Sequence, residues 1–505
     1  MSLLGLDIGT TGSKAVVFSL DGQILATAYR TYAEFYPRPG WVEMDPHQMW
    51  EAVRQVIGEV GAQTGKDAVQ AIGVAVLGEA VTPVDAQGRP LYNCLPSVDA
   101  RCGSQVAWWR RTLGKERLYQ ITGQPLHTSY SANKVLWLRE AMPEVFKETW
   151  KFLLWEDLFC CWMGLSPAIE HSLAARTMLF DIHTHRWSEE VMEAANLSPG
   201  FFAEVVEPGA AVGEIPAQQA AELGLGEGVV VAVAGHDAVN GAFGAGAVAH
   251  GQAVLTIGTT ESIVVALRQP VLTAEMLADM HACYCHTYPG RYVALAYSTC
   301  SGNLLRWYKE RFGQQEVALA AQSGQNVYDI LVDQAALGSS GLLLLPHFIG
   351  SGTPSLDPAS RGALLGLTLS TTPQDIIAAI LEGTTFELKL NIESMEKAGV
   401  PVKGMVAVGG GAQSDRWLQL KSDLTGKPIV RLDVTESGCL GAAIQAGLAC
   451  GAYASRDEAL QSLVKPGRRF DPDPQRGAQY DERFAAYRQL YQTLKPINDV
   501  LSKYA

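Results

Sequence analysis

An Ile-Gly-Thr-Thr turn occurs twice in this chain, once in each half, and each copy is flanked by strand-like apolar runs. The first is Ile8-Gly9-Thr10-Thr11, between residues 3–8 and 14–20; the second is Ile257-Gly258-Thr259-Thr260, between residues 252–257 and 262–267. A strand-turn-strand opening used twice predicts two lobes with one topology. The length agrees, since 505 residues exceed what one hydrophobic core organises.

The remaining pattern is alternating strand and helix. Asp21-Gly22 marks a hairpin turn before a strand at 23–28. Asp45-Pro46 supplies a cap and a first-turn proline to a helix whose Trp50, Val53, Ile57 and Val60 recur at helical spacing, and 69–76 reads as a buried strand. In the second half the pattern predicts helices over 374–397 and 415–425, strands over 404–408 and 429–432, and a helix from near Cys439 that Gly451 ends. The class is therefore α/β. The Ala/Gly-rich run 239–251 is the expected connection, dividing the chain into lobes 1–246 and 247–505. An amphipathic helix over 480–501 closes the chain without declaring its lobe.

Hydrophobic residues make up 48% and charged residues 18%, without low-complexity blocks, which is the profile of a packed globular protein. The formal net charge of −13 argues against a nucleic-acid partner. Any phosphate must then be held locally, by backbone N–H groups, a divalent metal and a few basic side chains. No basic residues precede the apolar start, and the stretches 228–235 and 341–346 are too short to span a bilayer, so a cytoplasmic protein with no membrane partner is expected. Nine scattered cysteines fit reduced thiols. His281, Cys283, Cys285 and His286 share one strand-like run, but no second ligand pair stands at zinc spacing, so ordinary burial is expected.

Asp7-Ile8-Gly9-Thr10-Thr11-Gly12-Ser13-Lys14 is the first candidate for phosphate chemistry. Glycine lets the backbone approach phosphate, the threonine hydroxyls donate to it, Lys14 adds positive charge and Asp7 can hold hydrated magnesium. A polar turn that only caps two strands is the alternative. The second turn, with Thr259, strengthens the phosphate reading, because two such loops can close on a triphosphate from both sides. Asp237, in Gly235-His236-Asp237 after a strand, stands where a carboxylate can take a hydroxyl proton, or where it can cap the next helix. His236 is expected to be structural. Gly409-Gly410-Gly411, between strand and helix, offers a shelf for a nucleotide. Neither a Walker loop nor a meaningful Gly-x-Gly-x-x-Gly is present.

Taken together these motifs resemble the FGGY family of carbohydrate kinases over nearly the whole chain. The family's C-terminal signature fits Gly362-Ala363-Leu364-Leu365-Gly366-Leu367, then Asp375-Ile376 and Ala379-Ile380-Leu381-Glu382. An earlier signature fits Ser129, Ser131, Lys134 and Trp137-Leu138, with Ala141 in place of a polar residue. The resemblance implies a two-lobed actin-like, ribonuclease-H-like fold, with the sugar in the interlobe cleft and ATP carried mainly by the second lobe. It implies Asp237 as catalytic base, Asp7 as a Mg2+-associated carboxylate, Thr10, Thr11 and Lys14 as the first phosphate loop and Thr259 in the second. Gly302, in Ser301-Gly302-Asn303, would contact the nucleotide, and Gly411 and Asp415 would form the adenosine shelf. Homodimers are common in this family.

The sugar pocket departs from the family's best-known members. Gly78-Glu79-Ala80 stands where xylulokinases carry Met-His-Gly and glycerol kinases Arg-Glu. Gly78 and Glu79 are thus candidate sugar contacts, Glu79 either accepting two hydroxyls or facing solvent as a loop carboxylate. Asp99 matches a family Asp-x-Arg motif near the sugar, without the Trp-Asn that usually precedes it in xylulokinases. A ketopentose such as xylulose leads as acceptor, with another ketose, an aldonate or a polyol as alternatives. Two rivals are an actin-like nucleotide switch and a catalytically silent sugar binder; the set Asp7, Thr10, Thr259, Gly411 and Asp237 opposes the second.

Overall fold

The computed structural model describes residues 1–65, 67–433 and 436–504. Two mixed sheets form its frame, and strand numbers refer to these alone. The first contains β1 (Ser2–Ile8), β2 (Gly12–Ser19), β3 (Ile24–Thr31), β4 (Val69–Val76), β5 (Ala211–Glu214) and β6 (Val230–His236), in the order β5-β6-β4-β1-β2-β3. The second contains β7 (Gln252–Ile257), β8 (Glu261–Leu267), β9 (Ala282–Cys285), β10 (Tyr292–Ser298), β11 (Gly404–Val408), β12 (Ile429–Leu432) and β13 (Pro466–Phe470), in the order β9-β10-β8-β7-β11-β12-β13.

Five strands of each sheet correspond. β1 is antiparallel to β2 and parallel to β4, as β7 is antiparallel to β8 and parallel to β11. β3 and β10 extend one side antiparallel, β6 and β12 the other side parallel. The run β3-β2-β1-β4-β6 thus returns as β10-β8-β7-β11-β12, which is the duplicated ribonuclease-H-like order of an actin-like protein. The repeated turn marked it correctly.

The helices that place the site are α1 (Pro46–Gln63), α2 (Asp237–Gly244), α3 (Gly302–Arg311), α4 (Pro373–Lys397), α5 (Asp415–Thr425), α6 (Ser437–Ala449) and α7 (Asp481–Leu501). α1 starts at Asp45, whose carboxylate accepts the His47 N–H, and lays Met49, Val53, Val56 and Val60 into the core with Leu4, Leu6, Ile8, Ile72 and Val74. α4 opens with a capping box between Thr372 and Asp375. α6 falls within 247–505 yet packs on the first sheet. Gly5 of β1 and Gly73 of β4 allow it: a Cβ on either would overlap the Cys439 or Ala442 carbonyl of the helix. This contact brings the start of α6 to the end of β1, beside Asp7. α7 belongs with the second sheet, its Phe484, Tyr487 and Leu490 joining the core that contains Phe386.

All nine cysteines are free. His281 hydrogen-bonds Ser394 and His286 the Ala247 carbonyl, so the run 281–286 is buried structure, as expected. Among the described residues no helix is long and apolar enough to cross a membrane.

Candidate active site

β1 and β6 flank β4 in parallel, so their C-terminal ends open on the same side of the first sheet. Asp7 ends up next to last on β1, and Asp237 is the first residue of α2, directly after β6. Both line one cavity of about 290 Å3, with Thr256, Gly409, Ser437 and Gly438. Burial, partly offset by Lys14 and reinforced by Glu436, pushes the Asp7 carboxyl up to about 6. The place of Asp237 at the floor of the cleft, where surrounding protein strips away much of its water although part of the side chain still opens to the cavity, and then the neighbouring Asp7 push its carboxyl up to about 8. Asp7 Oδ1 is buried without a hydrogen-bond partner.

The arm that carries Asp237 is held from behind. Gly235 has φ +80°, and its N–H donates to Glu156 at 2.6 Å. The second Glu156 oxygen accepts the Glu170 N–H at 2.8 Å, Glu170 accepts the Ser172 N–H and hydroxyl, and Ser172 Oγ accepts the His236 N–H at 3.0 Å. Asp237 Oδ1 accepts the adjacent Ala238 N–H at 2.6 Å, and His236 Nε2 lies 3.2 Å from the same oxygen. The Nδ1 of His236 meets the Tyr284 hydroxyl at 3.0 Å. Because Tyr284 comes from β9, the ring beside Asp237 is anchored by the second sheet. The helix-cap alternative for Asp237 is thus met only through Ala238, and its side chain, 35% exposed, opens to the cavity.

Gly78 and Glu79 arrive at the same place. A Cβ on Gly78 would lie 2.8 Å from His236 Nε2, so glycine lets that imidazole rest against the turn. Glu79 has φ +61° and is 4% exposed, not a solvent-facing carboxylate. Its Oε1 pairs with Arg176, whose guanidinium lies over the Tyr130 and Tyr284 rings and donates to Gln124 at 3.0 Å. Arg176 also acts on Asp237, lowering its pKa while Glu79 raises it. Asp99 is placed otherwise. It is fully buried, accepting from Arg101 and from the Val42 N–H at 2.9 Å, and it is absent from the lining of the Asp7–Asp237 cavity.

A second cavity, of about 480 Å3, is lined by Gly258, Thr259, Gly302, Asn303, Arg306, Gly411 and Trp417. It adjoins the first, since Thr256 and Gly409 line one while Gly258 and Gly410 line the other. The β7–β8 turn docks on the start of α3: Gly302 N donates to the Gly258 carbonyl at 3.0 Å and Asn303 N to the Thr259 carbonyl at 3.2 Å. Beneath the turn, Glu261 pairs with the buried Lys421 at 2.7 Å and accepts from Ser301 at 3.1 Å. Asp415 sits at the outer edge of this shelf, bound to Arg431 at 2.6 Å and to Arg468; Gln413 and Ser414 face the cavity instead.

The first turn is less gathered than its partner. Thr10 is half-buried, Thr11 is exposed with its hydroxyl 3.5 Å from Tyr29, and neither lines the two cavities. Lys14, cross-strand partner of Asp7, pairs with Glu436 at 2.7 Å on the rim. Sequence reasoning passed over Arg176, Tyr284, Glu156 and Trp417. Arg176 follows a short run of small residues with no local pattern, whereas Trp417, three residues past Ser414 in α5, could have been read as part of the shelf.

The sequence matches the family model for the FGGY family of carbohydrate kinases, N-terminal domain, over residues 2–244 and the C-terminal domain over residues 253–450. A xylulose kinase from Lactococcus lactis is 28% identical over 99% of this chain and 99% of its own length. A glycerol kinase from Methylibium petroleiphilum is 30% identical over 98% of this chain and 99% of its own. In structure, a protein described as a xyloylose kinase from Brucella ovis superposes with a TM-score of 0.87 at 26% identity, covering 98% of this chain and 100% of that one. With both lobes, their shared topology and both signatures accounted for, the chain belongs to the FGGY family of carbohydrate kinases, ATP-dependent enzymes that phosphorylate sugars.

Proposed function

We propose that this kinase transfers the γ-phosphoryl group of ATP to a hydroxyl of a small ketose, a ketopentose such as xylulose being the leading acceptor. The meeting of Asp7 and Asp237 in one cavity that runs on into the glycine-lined shelf carries the reading. The shelf takes the nucleotide between Trp417, Gly411 and the start of α3, and Thr259 and the backbone of the β7–β8 turn face its phosphates. Asp237 accepts the proton of the attacking hydroxyl; a carboxyl poised at about 8 is well matched to that task near neutral pH. Glu79 and Arg176 orient the sugar, with Gly78 keeping His236 close to the base. Thr10, Thr11 and Lys14 approach the transferred phosphate from the first lobe as the cleft closes and excludes water.

The orphaned, buried Asp7 Oδ1 and an all-oxygen donor suit Mg2+. Bound there, the ion would neutralise phosphate charge. Asp99 and Asp415 support the site from outside it, Asp99 by fixing Arg101 and Asp415 by fixing Arg431. Relatives named for xylulose favour the ketopentose, while those named glycerol kinase and gluconokinase define the competing arms. Coupled ADP release over a panel of ketoses, aldonates and polyols tests this. Xylulose should give the highest kcat/KM; a polyol or aldonate in that place overturns the acceptor, and ATP turnover indifferent to every sugar overturns the kinase reading in favour of a nucleotide switch.

A further inference from the structure

Away from the cleft, three segments bring His171, His185 and Glu207 together, with one candidate ligand atom from each within 4.8 Å of the others. The convergence follows from register. The short strands Ala168–Glu170 and Glu204–Val206 pair in parallel with Glu170 opposite Val206, so the next residues, His171 and Glu207, emerge side by side. His185 comes from the turn of the small hairpin Phe180–Asp181/Arg186–Trp187 and stacks on Phe180, its ring 4.7 Å from that of His171. Among the described residues this is the one such cluster.

His171 differs from the other buried histidines of the described chain. His236, His281, His286 and His347 each place a ring nitrogen within hydrogen-bond distance of a hydroxyl or carbonyl. The ring of His171 makes no such bond; its polar neighbours are Glu207, with Oε2 at 3.9 Å, and the second imidazole. A ring nitrogen of His171 is thus left facing the point that Glu207 and His185 share. His185 is oriented by Tyr292, whose hydroxyl lies 3.5 Å from Nε2, the kind of outer partner that metal-bound histidines use. Glu207 is 68% exposed and free to swing inward.

We propose that His171, His185 and Glu207 form a binding site for a transition-metal dication of the zinc type, separate from the magnesium site of the cleft. Two imidazoles and one carboxylate select such an ion over Mg2+, which prefers oxygen ligands. The bound ion ties the His185 hairpin and the strand ending at Val206 to the helix start that carries Ser172, the partner of the His236 backbone. To test it, full-length protein stripped by chelator is titrated with zinc chloride alone against a chromophoric chelator, with Mg2+ in large excess. One zinc per chain is expected, unmoved by Mg2+, with affinity lowered at least about tenfold in His185→Gln and again in Glu207→Gln. Zinc should raise the melting temperature of the wild type and not of the double variant. Glu207→Gln alters an exposed side chain and leaves the metal-free melting temperature and kinase rate unchanged, so it carries the test even should His185→Gln fold poorly. Absence of stoichiometric uptake, or equal uptake by the double variant, overturns the site.

Discussion

Removing either charge of the Glu79–Arg176 pair should move the pH dependence of catalysis in opposite directions. Arg176 is 8% exposed and Glu79 4%, so Arg176→Met strands a buried carboxylate and costs about 3–5 kcal/mol. Unfolding entropy of about 2.1 cal/mol/K per residue gives about 0.5 kcal/mol/K for a lobe of about 250 residues, so the melting temperature of that lobe falls by about 6–10 °C. A thermal melt of the variant shows that it is folded at the assay temperature before its kinetics are read. Arg176 lowers the Asp237 pKa against burial and Asp7, while Glu79 raises it. Arg176→Met should then carry the acid limb of kcat/KM to a higher pH than in the wild type, and Glu79→Gln should carry it to a lower one. Initial rates of ADP release from neutral to alkaline pH measure both limbs. Glu79→Gln should also raise KM for the sugar much more than KM for ATP. Limbs that move the same way, or KM values that rise in parallel, refute the assignment of this pair to the sugar side of the base.

Two further outcomes follow from the packing. Gly302→Ala places a Cβ 2.6 Å from the Gly258 carbonyl and displaces the β7–β8 turn, so KM for ATP should rise about tenfold while KM for the sugar holds; steady-state kinetics with each substrate varied in turn decide it. Glu156, pushed up to about 8 by burial, contributes stability that is full below its ordinary range and is lost as pH rises through about 8. Glu156→Gln should flatten that decline, so that its melting temperature gains on the wild type by the equivalent of a few kcal/mol between mildly acidic and alkaline pH; a constant gap across the range in thermal melts contradicts the buried-acid account.

What the chain declares locally was legible. The twin turns, Asp237 after its strand and the triple-glycine shelf are each a few consecutive residues whose chemistry is visible without a partner. What it hides is long-range. Arg176 meets Glu79 across 97 residues and Tyr284 meets His236 across 48, and Lys14 finds Glu436 across 422. No local pattern announces such pairs. α6 was placed in sequence but not in space, because Gly441, Ala442, Ala443 and Gly447 give it small residues around its circumference instead of one apolar stripe. Those small residues are what let its backbone lie on β1 and β4. Asp99 and Asp415 show the converse: each sits in a recognisable motif, yet arginine neighbours take up its oxygens.

The most direct test is Asp237→Asn, assayed for turnover on the identified sugar and for ATP binding by calorimetry. Asparagine keeps the size of the side chain and can still accept the Ala238 N–H, so the arm should stay in place. kcat should fall about 10²- to 10⁴-fold with ATP affinity nearly unchanged. Turnover within a few-fold of the wild type would mean that the proton leaves the acceptor hydroxyl by another route.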